Sequence, residues 1–409
     1  MKSLKFLRYA TMLVFTLSII RFITGASDLT STGTASAALL LSVPIVLAAL
    51  GGLFSERAGV VNIGLEGMMI MGAWAGGWIG AVHGPWWGLI AASIFGSIGA
   101  VVHAIAVVTF GVDHVISGVA INIIAAGLVR YLSTLLTQSQ SWPSPSQSPT
   151  VESIPLNGLP VTSGGHYFGW KSPDVLSSVA RHNWFFISDS ASILRGLTGE
   201  VSYVTAVAIA LVPISYFILW RTAFGLRLRS AGEAPVAAES LGVNVYSMKY
   251  AGVLISGGFA GLGGGFLAIV AASNYQENQV AGRGFIGLAA LLFGNYRPAG
   301  LLAGAGLFGF ADALQLRDST AIHALILLIV AILIYLVYRD FKGRKFLNAA
   351  ISSGIVLTSI WFYFAVKELP GQLVSMTPYI ATLLVMSLAS QRLRMPAADG
   401  MPYRRGGLR

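Results

Sequence analysis

Cysteine is absent from the 409 residues, which rules out disulfides, thiolate metal sites and cysteine nucleophiles. Charge is scarce: Asp, Glu, Lys and Arg make up 10% of the chain, where soluble proteins carry about 25%. The six histidines include no H-E-x-x-H pair of the kind that holds zinc. A phosphate-binding loop is missing too. "GGHYFGWKS" at 164–172 comes nearest, but a tryptophan separates its glycine from its lysine, and the motif needs them adjacent. Any nucleotide-driven work therefore belongs to another chain.

What the chain has is apolar length. It is 55% hydrophobic with mean hydropathy +0.73, and runs long enough for a bilayer-crossing helix, about 20 residues, recur from end to end. The expected fold is all-α, a polytopic transmembrane bundle of about twelve spans. They fall at 9–25, 36–54, 63–82, 86–110, 113–136, 201–220, 249–272, 280–295, 299–317, 320–338, 347–366 and 372–390. The first of these, behind Lys2, Lys5 and Arg8, resembles a signal peptide, but the stretch after it lacks a convincing A-x-A site, so it is expected to stay as a span. With the N-terminus inside, most Lys and Arg outside the long 137–200 loop fall on the inner side, which predicts two cytoplasmic termini. The net charge of +10 follows from the same bias and does not point to nucleic acid. The 137–200 loop, opening on "TQSQSWPSPSQSPT", is then extracytoplasmic. Its aromatics in "HYFGW" and "HNWFF" read as interfacial anchors or as a docking surface.

Glycine is abundant, with 48 residues. Gly72, Gly76 and Gly80 recur at i, i+4, i+8, as do Gly257, Gly261 and Gly265, the spacing that lets helix backbones approach in lipid. "GLGGG" at 261–265 lies inside a span with no strand before it, so it is a packing feature and no dinucleotide loop.

Three stretches carry candidate polar groups. Glu66 lies in an apolar run, with Asn62 and Met69 expected on its helical face. It reads either as a group lining a substrate path or as half of a structural ion pair, with Arg57 the available partner. In "GVDHVISGVAINIIAAGLVR", Asp113 reads as a helix N-cap with Ser117 on its face, and Asn122 as a path-facing or interhelical group. The segment 221–249 is polar and alanine-rich, with a short helix expected over "PVAAESL" between Pro235 and Gly242. A helix held outside the bilayer suits a lever for a soluble partner.

"LFSERAGVVNIGLEGMMIMGA", "DHVISGVAINIIAAGLVR", "GLRLRSAGEAPVAAESLGVNV", "ISGGFAGLGGGFLA" and "GRGFIGLAALLFGNYRPAGLLAGAGLFGFADALQLR" resemble the permease subunits of bacterial nucleoside ABC importers, within the larger simple-sugar and branched-chain amino acid permease family. The resemblance covers about 36–136 and 201–317 and resumes near "MTPYIATLLVM" and the "PAADGMPYRRG" tail. It implies a multi-pass protein of the bacterial cytoplasmic membrane, with no enzymatic activity and no cofactor of its own. It also implies partners: a second permease, cytoplasmic ATPase subunits that bind ATP, and an extracytoplasmic substrate-binding lipoprotein. The pathway residues would be Asn62, Glu66, Met69, Ser117 and Asn122. The coupling residues would be Arg227, Arg229, Gly232, Glu233, Pro235, Ala237, Ala238 and Gly242. The chain then divides into a first bundle (1–136), the external loop (137–200), a second bundle (201–317) with the coupling segment, an inserted hairpin (318–371), and a last span with a basic tail (372–409). A simple-sugar permease is one alternative reading; an ion-coupled transporter using Glu66 or Asp113 is another. An intramembrane enzyme built on His103, His114 or His323 lacks any paired acid–base spacing.

Overall fold

Glycine and proline punctuate the helices. The computed structural model describes residues 2–140, 144–167, 170–317, 319–366, 370, 372, 374, 376–380, 382–383 and 393–406. Its helices are α1 (Lys2–Thr24), α2 (Thr32–Arg57), α3 (Leu65–His83), α4 (Pro85–Ala104) and α5 (His114–Gln140). Next come α6 (Val175–Ala180), α7 (Ile187–Thr198), α8 (Tyr203–Arg221), α9 (Ala223–Glu233) and α10 (Pro235–Ser240). The remainder are α11 (Val245–Phe266), α12 (Arg283–Phe293), α13 (Pro298–Gln315), α14 (Ser319–Lys342) and α15 (Phe346–Ala365). Single π-helical turns extend α4 over Ile105–Thr109 and α11 over Leu267–Ala271. Sheet among the described residues amounts to four two-residue strands.

Among the described residues, seven helices are long and apolar enough to cross a bilayer: α2, α4 and α11 with their extensions, α5, α8, α14 and α15. This is an all-α, multi-pass membrane protein. The run expected as a span at 280–295 forms only α12, whose 11 residues reach about 16 Å, half the hydrocarbon core. Gly282, left-handed at φ 80°, starts that helix, and the left-handed Asn295 and Tyr296 end it. Most of the span expected at 372–390 lies outside the described residues.

Two compact units do not follow chain order. One holds residues 1–39, 157–201 and 310–381. In it Ile20, Leu29, Leu314, Ala321 and Ala324 form the core, and Asp189 ties α7 to α1 through Arg21 (2.7 Å) and to Thr30 (2.6 Å). The loop aromatics Phe185 and Phe186 pack edge-on against Phe15 of α1.

The other unit holds 40–156, 202–309 and 382–409. Residues expected in two successive bundles therefore share one body, and glycine is the reason. A methyl placed on Gly72 of α3 would fall inside the backbone of Gly261 of α11, and one on Gly76 would sit 2.9 Å from the Cα of Gly265. Gly257 and Gly261 meet α4 at Gly96 and Ala92 in the same way. Met68, Met69, Trp78 and Phe266 fill the space beside this seam, all nearly fully buried.

Candidate functional site

The α2–α3 turn collects most of the polar groups singled out in the sequence. Gly59, at φ 79°, ends α2, with Val60 N–H bonding Ser55 O (3.1 Å) and Gly59 N–H bonding Glu56 O (2.9 Å), the paired closure of a glycine C-cap. Helix does not resume until Leu65, so residues 60–64 must find partners for their backbone elsewhere. Two buried histidines supply some of them. His114 Nδ1 accepts the Val61 N–H (3.1 Å). His103 Nε2 lies 3.1 Å from the Val61 carbonyl, so it carries the proton, and its Nδ1 accepts from the Ser117 hydroxyl at 2.8 Å. Asn122 spans the start of α3, donating to Ile63 O (3.1 Å) and accepting from Gly67 N–H (2.8 Å). Asn62 is fully buried and donates to Ser256 Oγ (2.9 Å), while Lys249 Nζ donates to Gly59 O (2.8 Å).

Glu66 lies in the first turn of α3, 8% exposed. One carboxylate oxygen accepts the Gly282 N–H at 2.8 Å and the other the Gly284 N–H at 2.7 Å. These are orphan donors at the N-terminus of α12, where a helix dipole also favours negative charge. A Cβ on Gly284 would lie 2.6 Å from Glu66 Cα, so the approach needs glycine there. Glu66 caps a half-length helix. The ion pair considered with Arg57 does not form: Arg57 instead faces Glu233 (3.5 Å) and the Tyr296 carbonyl (3.0 Å). Asn62 also leaves the expected helical face, because α3 starts three residues after it.

The 221–249 segment holds two short helices joined at Ala234, which leaves the helical conformation (φ −149°, ψ 77°). Pro235 opens α10, and left-handed Gly242 closes it with Gly242 N–H on Glu239 O (2.8 Å) and Val243 N–H on Ala238 O (3.0 Å). Of the coupling candidates, Arg229, Gly232 and Ala238 turn inward. Arg229 donates to Leu219 O (2.9 Å) beneath the Trp220 ring. Arg227, Glu233, Ala237 and Gly242 are exposed, next to Leu226, Val236 and an 85%-exposed Leu241.

The C-terminal tail meets this segment. Ala398 N–H bonds Gly232 O (2.9 Å), Ala397 N–H bonds Glu233 Oε2 (3.2 Å), and the Tyr403 hydroxyl donates to Glu239 (2.6 Å). That hydroxyl holds the Glu239 carboxyl below the usual carboxylate range. Asp399 is buried and hydrogen-bonded to Glu56, an arrangement of two carboxyl groups that needs a shared proton. Burial pushes Asp399 up to about 7, against the pull of Lys249.

Four of the five pathway candidates, Asn62, Glu66, Ser117 and Asn122, are thus brought together around the turn; Met69 packs fully buried in the seam. Cavities of about 290 Å³ beside Ser153–Leu156 and about 40 Å³ beside Tyr275–Val280 touch none of the five. Asp113 caps α5, accepting the N–H groups of Val115 (2.8 Å) and Ile116 (3.0 Å). Sequence reasoning missed Ser256, Lys249 and Asp399 as partners of the turn. His103 had a signal, a polar side chain inside the apolar run "AVVHAIAVV".

The profile of the family described as branched-chain amino acid transport system / permease component matches residues 34–338. The guanosine ABC transporter permease protein NupQ of Bacillus subtilis (strain 168) is 36% identical over 384 residues, 90% of this chain and 96% of that protein. A putative glucose ABC transporter permease protein of Haloferax volcanii, TsgC13, is 29% identical over 379 residues, 91% of this chain and 98% of its own. A second guanosine permease protein of the same Bacillus, NupP, is 27% identical over 279 residues, 65% of this chain and 69% of its own. No solved structure matches. With three quarters of its length in the family profile and interlocked membrane helices beneath it, the chain belongs to the family of permease components of branched-chain amino acid transport systems, which transport and carry out no chemistry of their own.

Proposed function

We propose that this chain is one of two non-identical permease subunits of an ATP-driven importer of nucleosides, with both termini cytoplasmic and α9–α10 acting as the lever that cytoplasmic ATPase subunits push. The substrate reading rests on the high-coverage similarity to a guanosine permease, and the second subunit on the similarity to both guanosine permease proteins of one organism. ATP binds the partner ATPase, since this chain has no phosphate-binding loop. An extracytoplasmic lipoprotein delivers the nucleoside. Asn62, Glu66, Met69, Ser117 and Asn122 act as the frame of the substrate path, because the polar groups of four of them are engaged in holding the α2–α3 turn and α12 while Met69 packs in the seam beside them. The proton- or ion-coupled alternative would draw on Glu66 or Asp113, and each of these carboxylates is occupied as a helix cap.

One observation carries the lever: Val236 and Leu241 lie 57% and 85% exposed on a two-turn helix between two spans, among polar neighbours. Apolar side chains left open in that setting mark a contact surface. Leu241→Asp should leave the chain folded and inserted, since that side chain is 85% exposed. It should cut ATP-dependent uptake of tritiated guanosine by about tenfold or more by spoiling ATPase docking. Wild-type uptake by this variant sinks the lever. Wild-type protein that imports glucose and no nucleoside sinks the substrate reading.

A further inference from the structure

Three backbone segments meet at one point beside the lever. A methyl on Gly59, in the α2–α3 turn, would lie 3.0 Å from Gly232 Cα at the end of α9 and 3.2 Å from the Ala398 carbonyl of the tail. A methyl on Gly232 would fall inside the Arg57 backbone. Around this contact both acidic residues of the lever are held by the tail. Glu233 closes α9, and a negative charge at a helix C-terminus is unfavourable unless neutralised. Arg57 faces one of its oxygens, and the Ala397 N–H serves the other. Glu239 of α10 takes the Tyr403 hydroxyl (2.6 Å) and the Arg405 guanidinium (3.2 Å). The Tyr403 ring packs on Tyr246 at the head of α11, centroids 5.4 Å apart, and Arg394 N–H bonds Asn295 at the end of α12 (2.7 Å). The tail thus reaches the lever itself, the head of α11 and the end of α12.

We infer that residues 394–405 are a clasp, with Ala397, Asp399 and Tyr403 as positioning residues, that fastens α9–α10 to the α2–α3 turn so that a push on the lever reaches α3 and α12. The physical route is short. The lever ends at Gly232–Glu233 and touches Gly59. The turn from Gly59 runs to Glu66, and Glu66 holds the N-terminus of α12. Without the tail, Glu233 keeps Arg57 and Glu239 loses Tyr403 and Arg405, and α10 can swing on the non-helical Ala234 without moving the turn. The inference rests on the lever reading above.

The test uses the complete importer in liposomes, with tritiated guanosine as probe and the number of nucleosides imported per ATP hydrolysed as readout. Removing residues 394–409 should preserve assembly and ATP hydrolysis and lower that ratio about tenfold. Tyr403→Phe keeps the ring on Tyr246 and removes only the hydroxyl, so it guards against a truncation that fails to assemble. It should lower the ratio about two- to fivefold. A normal ratio in Tyr403→Phe together with a normal ratio in the truncated chain, or less assembled complex at an unchanged ratio, overturns the clasp. Leu241→Asp, at an exposed position on the lever and outside the tail, separates the two ideas. Lost uptake in that variant beside a normal ratio without the tail defeats the clasp alone. Normal uptake in Leu241→Asp defeats the lever on which the clasp depends.

Discussion

Two of the places where glycine brings backbones together in this protein differ in their surroundings. At the α3–α4–α11 seam, Gly72, Gly96 and Gly261 meet among methyls, methionines and Trp78. At the Gly59–Gly232–Ala398 joint, the same close approach is ringed by Glu56, Arg57, Lys249, Glu233 and Asp399. Dispersion contacts in a dry seam are lost outright when the parts separate. The joint's outer contacts, those of the half-exposed Glu233 with Arg57 and the tail, can be exchanged for water at small net cost. The seam is therefore built to stay shut and the joint to be adjustable, which suits a protein that has to keep its bundle while it transmits a push.

The largest effect should come from forcing the seam. Gly261→Leu would drive a side chain into the Ala92 and Gly96 backbones, where nothing can give way, and should abolish the monodisperse peak in detergent size-exclusion chromatography. Gly127→Leu, at a position with nothing within 4 Å, should leave it intact. The joint should respond differently. Gly59→Ala meets backbone at 3.0 Å and must hold a left-handed conformation, costing about 1–3 kcal/mol, so the protein should fold with a lowered melting temperature. Equal loss of folded protein from Gly59→Ala and Gly261→Leu would erase the distinction.

The seam was legible in the sequence and the joint was not. Gly72, Gly76, Gly80 and Gly257, Gly261, Gly265 announce close packing because helical periodicity puts them on one face. Pro235 and Gly242 likewise bracket α10 by local rules alone. The resemblance to permease subunits, carried by five motifs in order, agrees with the family profile over 34–338. The partners of Glu66 could not be read, since they are backbone N–H groups 216 and 218 residues away with no side chain to signal them. Hydropathy alone also hid the half length of α12, because an apolar run gives no warning that Gly282 turns left-handed within it. The tail's contacts are long-range and mostly to main chain, so "PAADGMPYRRG" reads as a basic tail and nothing more.

The Glu66 cap sharpens the comparison from the polar side, being a charged contact that cannot be exchanged for water where it is buried. A carboxylate accepts both N–H groups of α12. An amide accepts one and turns its own N–H₂ toward the other. Glu66→Gln should therefore destabilise the protein by about 1.5–3 kcal/mol, read as a lower melting temperature in detergent, although it keeps size and polarity. Glu66→Leu should cost more, leaving both donors unserved, while Arg57→Leu should not reproduce the defect because Arg57 faces Glu233. Should Glu66→Gln melt with the wild-type protein, the cap is not what holds α12.

The smallest effect belongs to the joint's response to pH. Asp399 faces Glu56 and Arg57 of α2, Lys249 of α11 and the Tyr296 ring system at the end of α12. Its carboxyl is raised from 3.8 to about 7 chiefly by burial. A carboxyl raised on folding binds its proton more tightly in the engaged tail than in the released one. Its contribution is therefore complete at pH below about 4 and is lost as pH climbs through about 7. The sign is opposite to that of an ordinary salt-bridged aspartate. Lys249 and the proton shared with Glu56 blunt the change, so partial loosening is expected and no unfolding. The native chain has no cysteine, so a fluorophore on Arg404→Cys reports tail mobility without interference. Its anisotropy should fall as pH rises across that window, and adding Asp399→Asn, which stays neutral throughout, should flatten the curve. If the two curves coincide, Asp399 does not set the grip of the tail, and the adjustability of the joint must come from Glu233 and Glu239 alone.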